Sequence, residues 1–160
     1  MNNELPVHYL YPSCFFVSKT PYLIHTILGS CVAICLYDPI LKIGGMNHYM
    51  LPLWKGSGDA TPKYGDIAID RLLNKMLSMG SVQNSLVAKV FGGGEVITTS
   101  SSQFNVGEQN VNVAYELLKN EKINIVASSV GGKFGRRIQF NTSNGTVLHK
   151  IIEKQDIMLN

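Results

Sequence analysis

The sequence lacks the features that mark membrane, secreted and nucleic-acid-binding proteins. No apolar run reaches the roughly 18 residues that a membrane-spanning helix needs, and the N-terminus has no charged and then apolar signal-peptide pattern. Basic residues are dispersed, and no run of Lys and Arg is longer than the Arg136-Arg137 pair. A net charge of +3 is therefore too weak and too scattered to predict nucleic-acid binding. We predict no membrane insertion and no nucleic-acid partner.

Cysteine is also scarce, and its three positions do not form a disulfide framework. An odd number of cysteines without paired spacing is typical of a reducing compartment, so we predict a cytoplasmic protein. Cys14 stands beside two phenylalanines and is predicted to be a buried, inert thiol. Cys35 lies deep in an apolar run and is predicted to be a packing residue.

What the chain does have is enough apolar material for one folded unit. It contains 160 residues, of which 45% are hydrophobic and 16% charged. A domain of this size can bury about two-thirds of the surface that its unfolded chain exposes, without a disulfide or metal to hold it together. We predict a single domain over residues 1–160.

Hydrophobic periodicity predicts an α+β fold. Helical spacing of apolar residues occurs over 66–79 and 105–120. Short β-branched, aromatic or apolar runs bounded by Gly, Pro or Asn predict strands at 7–17 (one or two strands), 22–28, 32–37, 43–51, 86–91, 123–128, 138–141 and 147–152. Because most of these strands are adjacent in sequence, we predict a mainly antiparallel β-sheet sandwich flanked by helices.

The segment 26–52 carries the residues with the clearest chemical potential. It reads as two strands joined by a turn at 38–42, with Cys31 at the start of the first strand and His48 near the end of the second. If Asp38 faces Leu41, then Cys31 lies directly opposite His48, at a Cβ separation of about 4.5–5.5 Å. A slip of one residue would move His48 to the other face of the sheet.

A cysteine and a histidine in this arrangement predict acyl-transfer chemistry through a thiolate–imidazole pair. The imidazole can take the thiol proton, and the thiolate is the nucleophile. Gly29 and Ser30 allow a sharp turn before Cys31, and amide groups around this turn are candidate donors to an oxyanion. Nucleophile, base and oxyanion donors are the minimum set for such a reaction.

The group that orients His48 is left open between Thr26 and His25, because either could lie near the pair. Structural roles for Cys31 and His48 are the competing interpretation. A zinc site is disfavoured, since residues four apart on a strand, such as Cys31 and Cys35, are about 13 Å apart. No cofactor or metal is predicted, and the glycines at 92–94 and 131–132 are predicted to form tight turns.

Several blocks of the sequence closely resemble the CheD family of chemoreceptor glutamine deamidases. They cover nearly the whole chain: Leu28-Gly29-Ser30-Cys31-Val32-Ala33, Tyr37-Asp38-Pro39, 44–52, 64–72, 88–94, Asn110-Val111, Gly131-Gly132 and Gly135-Arg136. The resemblance implies a hydrolase that converts receptor glutamines to glutamates and releases ammonia. It implies Cys31 as nucleophile and His48 as base, and a fold similar to the catalytic domain of the cytotoxic necrotizing factor toxins.

The same resemblance implies two partners, methyl-accepting chemoreceptors as substrate and a CheC-type phosphatase. A threonine often assists the pair in the family, and His25 stands where some members have it, with Thr26 next to it. Ser129 replaces the usual Asp before Gly-Gly, and Gln109 replaces the usual Arg before Asn. The alternative function is a non-catalytic adaptor that binds the receptors and the phosphatase without turnover.

Overall fold

The protein is described here by a computed structural model that covers residues 4–96 and 105–153. These residues form nine strands and two α-helices, with a short 3₁₀ helix at Gln83–Ser85. The helices are α1 (Gly65–Ser78) and α2 (Val106–Asn120). The strands are β1 (Val7–Tyr9), β2 (Cys14–Ser18), β3 (Leu23–Leu28), β4 (Val32–Asp38), β5 (Ile43–His48), β6 (Val87–Gly92), β7 (Asn124–Val130), β8 (Gly135–Asn141) and β9 (Val147–Ile152). Every predicted element is present, although β5 ends earlier and β8 begins earlier than predicted.

The strands form two sheets. Sheet A has the order β1-β3-β8-β9, and sheet B has the order β2-β5-β4-β6-β7. Only the pairs β1–β3 and β6–β7 are parallel among the described strands. The prediction of a mainly antiparallel sandwich is therefore confirmed.

Two apolar cores separate three layers. The core between sheet A and sheet B contains Leu10, Ile24, Leu28, Ala33, Cys35, Met46, Phe91, Ile138 and Phe140. The larger core lies between sheet B and both helices and includes Val32, Ile34, Leu36, Leu72, Met76 and Leu118. Because β4 contributes alternate residues to both cores, its sequence is an almost continuous apolar run rather than an alternating one. The helices thus flank the sandwich on the sheet B side.

The turn between β4 and β5 is longer than predicted. Asp38 pairs with Ile43 rather than with Leu41. Its carboxylate accepts hydrogen bonds from the backbone amides of Ile40 and Leu41, at 2.9 and 3.1 Å. Lys42 completes the turn with a positive φ of 55°. Asp and Pro provided the expected turn chemistry, but this side-chain capping adds residues to the loop and shifts the register.

The two helices begin differently. The side chain of Asn105 accepts a hydrogen bond from the Glu108 amide at 3.0 Å, which caps α2. No side-chain cap is formed at α1, where Gly65 lies so close to Tyr49 that a Cβ would approach the ring to 2.7 Å. The glycine therefore lets α1 begin directly against the end of β5. None of the helices in the described part of the chain is long and apolar enough to cross a membrane.

Candidate active site

The three predicted catalytic side chains lie on three different segments of the chain. Thr26 belongs to β3 in sheet A, and His48 is the last residue of β5 in sheet B. Cys31 immediately precedes β4. The Thr26 hydroxyl and the His48 Nδ1 atom lie 2.7 Å apart, so a hydrogen bond spans the gap between the sheets.

The position of Cys31 relative to His48 differs from the prediction by two residues. The register of β4 and β5 continues to a bridge between Val32 and Tyr49, so Cys31 faces Met50 rather than His48. A shift of two residues leaves a side chain on the same face of a sheet. Cys31 and His48 are therefore diagonal neighbours, about 7–8 Å apart or less between Cβ atoms, and not a directly opposed pair.

The contacts of Thr26 determine which nitrogen of His48 carries the proton. The Thr26 hydroxyl donates its single hydrogen to the carbonyl oxygen of Leu10, at 2.7 Å. A carbonyl can only accept, so the hydroxyl oxygen can bind His48 only as an acceptor of the Nδ1 hydrogen. This arrangement leaves Nε2 of the neutral ring unprotonated. Nε2 is the atom that can act as a base.

The free nitrogen of His48 is buried. The residue is 3% exposed, and Nε2 has no hydrogen-bond partner among the described residues. Burial disfavours the charged imidazolium and lowers the pKa of His48 to about 4. The imidazole is consequently neutral at neutral pH and available to receive a proton.

Cys31 is half-buried, and this burial raises the pKa of its thiol. Its own backbone amide acts in the opposite direction and lowers the pKa, but less strongly. Together with the lowered pKa of His48, this favours the neutral forms of both the thiol and the imidazole. The thiolate–imidazole pair predicted from the sequence is therefore opposed by desolvation of both groups.

In the turn before Cys31, the carbonyl groups of Gly29 and Ser30 both accept hydrogen bonds. The amide of Gly94 donates to the Gly29 carbonyl at 2.9 Å, and the Asn110 side chain donates to the Ser30 carbonyl at 3.0 Å. In a planar trans peptide the C=O and the following N–H point in opposite directions. These two bonds therefore direct the amides of Ser30 and Cys31 away from the scaffold. Neither amide donates to a backbone acceptor within 4–96 and 105–153.

The glycines at 92–94 pack against this turn, and Gly93 and Gly94 donate backbone hydrogen bonds to it. The Gly93 amide donates to the Cys31 carbonyl at 2.9 Å. At Gly92, which has a φ of +108°, an added Cβ would lie 2.2 Å from the same carbonyl oxygen. The sequence predicts a tight turn here. Close backbone approach to the cysteine requires a glycine at position 92, whereas a Cβ at Gly93 would meet Val111 and one at Gly94 would meet the Phe134 carbonyl.

Asn110 is a site-forming residue that sequence reasoning missed. It is fully buried on α2, and its amide nitrogen donates to the carbonyls of Ser30 and Met50, both at 3.0 Å. A polar residue at an inward position of an amphipathic helix was the available signal. Its partners, however, lie 60 and 80 residues away in sequence.

The other candidates for orienting His48 lie elsewhere. His25 is next to Thr26 on β3, so its side chain points to the opposite face, where its ring lies 5.5 Å from that of Tyr9. Burial and the nearby Arg137 lower the pKa of His25. Asn47, which precedes His48 on β5, points to the opposite face of the sheet, and its side-chain oxygen accepts a hydrogen bond from the Ile34 amide at 2.8 Å.

The two remaining cysteines behave differently from each other. Cys35 is 1% exposed and packs between the sheets, as predicted. Cys14 is exposed, so the prediction that it is a buried thiol is wrong. It begins β2, an edge strand of sheet B, where it pairs with His48. An edge position leaves its side chain uncovered even though the neighbouring Phe16 packs inward.

The two sequence departures, Ser129 and Gln109, also have defined positions. The Ser129 hydroxyl accepts a hydrogen bond from Nε of the buried Arg136 at 2.9 Å. The guanidinium also donates to the Gly131 carbonyl at 2.8 Å and to the Gly92 carbonyl at 3.4 Å. Arg136 thus ties the Gly92 turn to the end of β7. Gln109 is exposed on α2 and faces away from Asn110.

Two cavities of the described structure lie outside the Cys31 site. One cavity of about 190 Å³ lies between the sheets and is lined by residues including Cys35, Tyr37 and Lys89. A second, of about 360 Å³, lies beside Gly93 and the start of α2. Cys31 lines neither. No group of three or more His, Cys, Asp or Glu side chains within the described ranges could hold a metal ion.

A family model and several curated relatives match this chain. Residues 50–151 match the family model described as CheD chemotactic sensory transduction. The chain is 44% identical over 159 residues to a probable chemoreceptor glutamine deamidase CheD of Sulfurimonas denitrificans, covering 96% of this chain and 99% of the relative. It is 48% identical to a protein of the same description from Trichlorobacter lovleyi, covering 88% of both chains.

A third relative, from Rhodospirillum rubrum and also described as a probable chemoreceptor glutamine deamidase CheD, is 39% identical. The aligned region covers 96% of this chain and 86% of that relative. A solved DUF152 protein of Neisseria meningitidis aligns with a TM-score of 0.47 at 10% identity, over 81% of this chain and 65% of that one. From the family model and the curated relatives, the chain belongs to the CheD family.

Proposed function

We propose that this protein hydrolyses glutamine side-chain amides of methyl-accepting chemoreceptors to glutamate, with Cys31 as nucleophile, His48 as base and Thr26 as the residue that orients the base. The observation that carries the proposal is the hydrogen bond between Thr26 and Nδ1 of His48, which leaves Nε2 free on the face that Cys31 shares. The substrate class comes from the names of the relatives, which are described as chemoreceptor glutamine deamidases.

In the first half of the proposed reaction, Sγ of Cys31 attacks the side-chain carbonyl carbon of a glutamine. The thiol proton passes to Nε2 of His48 as the carbon–sulfur bond forms, because burial disfavours the charged thiolate and imidazolium before attack. The amides of Ser30 and Cys31 hold the negative oxygen of the tetrahedral intermediate. Nε2 then returns the proton to the leaving nitrogen, and ammonia departs from a thioester.

In the second half, a water molecule attacks the thioester carbon and gives a proton to Nε2 of His48. The carbon–sulfur bond breaks, the thiol of Cys31 is restored with that proton, and the product is a glutamate side chain. The net change is one amide and one water converted to one carboxylic acid and one ammonia. No cofactor is needed for this balance.

The openness of the site supports a protein substrate. Cys31 is half-buried, immediately precedes β4 and lines neither of the two cavities described above. A small free amide would find few surfaces to enclose it, since small-molecule sites are usually concave. A glutamine presented on a folded helix or loop needs only its side chain to reach the sulfur. We expect the cytoplasmic domains of the receptors to present such side chains.

The test is deamidation of purified chemoreceptor cytoplasmic domains, followed by ammonia release and by peptide mass. We expect turnover by the wild type and by Cys14→Ala, which removes the exposed thiol paired with His48, and none by Cys31→Ala. Deamidation retained in Cys31→Ala would exclude Cys31 as the nucleophile. Binding of receptors or of a CheC-type phosphatase by a wild type that releases no ammonia would favour the adaptor function instead.

A further inference from the structure

Asn110 connects the two segments that carry the proposed nucleophile and base, and we infer that it is a positioning residue for the proposed deamidation, on which this inference rests. Its Nδ2 atom donates to the carbonyl of Ser30, which precedes Cys31, and to the carbonyl of Met50, which follows His48 closely. Both distances are 3.0 Å, and the side chain is 0% exposed.

The chemistry of the two partners requires an amide at this position. Both are carbonyl oxygens, which only accept, so both hydrogens of the Asn110 NH₂ group are in use. An aspartate has the same shape but offers two acceptors and no donor. It would place a carboxylate oxygen against the carbonyls of Ser30 and Met50 in a buried site.

The side-chain amide of Asn110 joins the two segments where the backbone hydrogen bonds between β4 and β5 have ended. The last backbone bonds between the two segments join Val32 and Tyr49, at 3.1 and 2.9 Å. Beyond them, no backbone hydrogen bond joins residues 29–31 to residues 50–51 within the described chain. The hydroxyl of Tyr49 donates to the Asn110 carbonyl at 2.6 Å, which fixes the helix against the same strand end. Asn110 is thus the link across this gap.

This link sets the direction of a proposed oxyanion donor. Because the peptide group between Ser30 and Cys31 is planar, holding the Ser30 carbonyl also holds the Cys31 N–H, which points the opposite way. Without the Asn110 amide, that peptide group can rotate and turn its N–H away from the oxyanion. The thiol itself would still be present, so the loss would fall on transition-state stabilisation more than on binding or on thiol reactivity.

The experiment compares Asn110→Asp and Asn110→Ser with Asn112→Asp, which makes the same change at an exposed position of α2. All are made in the Cys14→Ser background, so that alkylation by iodoacetamide counts Cys31, while protection of the buried Cys35 reports an intact core. Deamidation of a receptor domain is then expressed per alkylatable Cys31. Molecules that are also alkylated at Cys35 are unfolded and are subtracted from this count.

For both Asn110 variants we expect kcat per site to fall about 100-fold, with KM within about twofold and Cys35 still protected. Asn112→Asp should match the wild type. Wild-type kcat in an Asn110 variant with Cys35 protected would overturn the positioning role alone. If neither variant protects Cys35, Asn110 is needed for folding and the positioning role is likewise overturned. A wild type without turnover would instead overturn the proposed function itself.

Discussion

The imidazole of His48 donates its Nδ1 hydrogen to the hydroxyl oxygen of Thr26 across 2.7 Å, and this bond joins sheet B to sheet A. The same hydroxyl donates to the Leu10 carbonyl, so its one hydrogen and one of its lone pairs are both committed. The relationship therefore specifies a single tautomer of His48.

Removing the Thr26 hydroxyl should impair both catalysis and folding. Thr26→Val keeps the shape but leaves the buried Nδ1 hydrogen and the Leu10 carbonyl without partners, at a cost of about 1–3 kcal/mol for each unsatisfied group. We expect kcat for receptor deamidation to fall about 100-fold, as for loss of an oriented base. Thr26→Ser should retain most activity. Thr146→Val, at an exposed threonine, is the control, and unchanged kcat in Thr26→Val would contradict the orienting role.

The rate of deamidation should fall with acid at a much lower pH than it would if the base were an ordinary, solvated histidine. Burial lowers the pKa of His48 to about 4 from 6.5, so the neutral base persists as the pH falls through 6 and 5. We expect kcat/KM, measured as initial rates on a receptor domain, to decline only near pH 4. A decline near pH 6.5 would show that the base is solvated during the reaction.

The same group should make folding stability depend on pH. Between pH 6.5 and about 4 the unfolded chain binds a proton at His48 that the folded chain does not. The contribution is therefore complete above pH 6.5 and is lost as the pH falls through that window, by about 3 kcal/mol in all. Chemical denaturation of the wild type and of His48→Gln at several pH values measures it as the difference between the two curves. Parallel curves would refute the assignment.

An alanine at position 92 should disturb the cysteine turn. Gly92→Ala combines a positive φ with a Cβ only 2.2 Å from the Cys31 carbonyl oxygen. Gly132→Ala is the matched control, because its φ of +75° is also positive but no atom lies within 4 Å. Both should lose about 1–2 kcal/mol from backbone strain. Only Gly92→Ala should also lower deamidation per folded molecule, and equal activity in the two variants would argue against a tight constraint at Cys31.

A carboxylate at position 129 should stabilise the fold. Arg136 is buried with neutral partners, and Ser129 receives its Nε hydrogen at 2.9 Å. Ser129→Asp would convert this contact to a charge-assisted hydrogen bond, for which we expect a gain of about 1 kcal/mol in the free energy of unfolding. Ser128→Asp, on the exposed neighbour, should have little effect. Denaturant titration decides, and a lower stability for Ser129→Asp would mean that desolvation of the carboxylate outweighs the pairing.

Local patterns in the sequence were sufficient to predict the strands, the helices and part of the candidate site. Strand and helix periodicity depends on neighbouring residues, so β4, β5 and both helices were predictable. The side of the sheet shared by Cys31 and His48 was also predictable, because the true register differs by two residues and side chains alternate with a period of two. The register itself was not, since the Asp38 carboxylate lengthens the turn.

The sequence alone determined an α+β chain with a glycine–serine–cysteine turn and a histidine on the same face. It could not choose between His25 and Thr26, or find Asn110, or reveal that Cys14 is exposed. Those outcomes depend on which segments distant in sequence become neighbours, as when sheet A places Thr26 against His48 and α2 places Asn110 against Ser30. A hydrogen bond needs both partners within about 3 Å, and only tertiary packing brings these atoms that close.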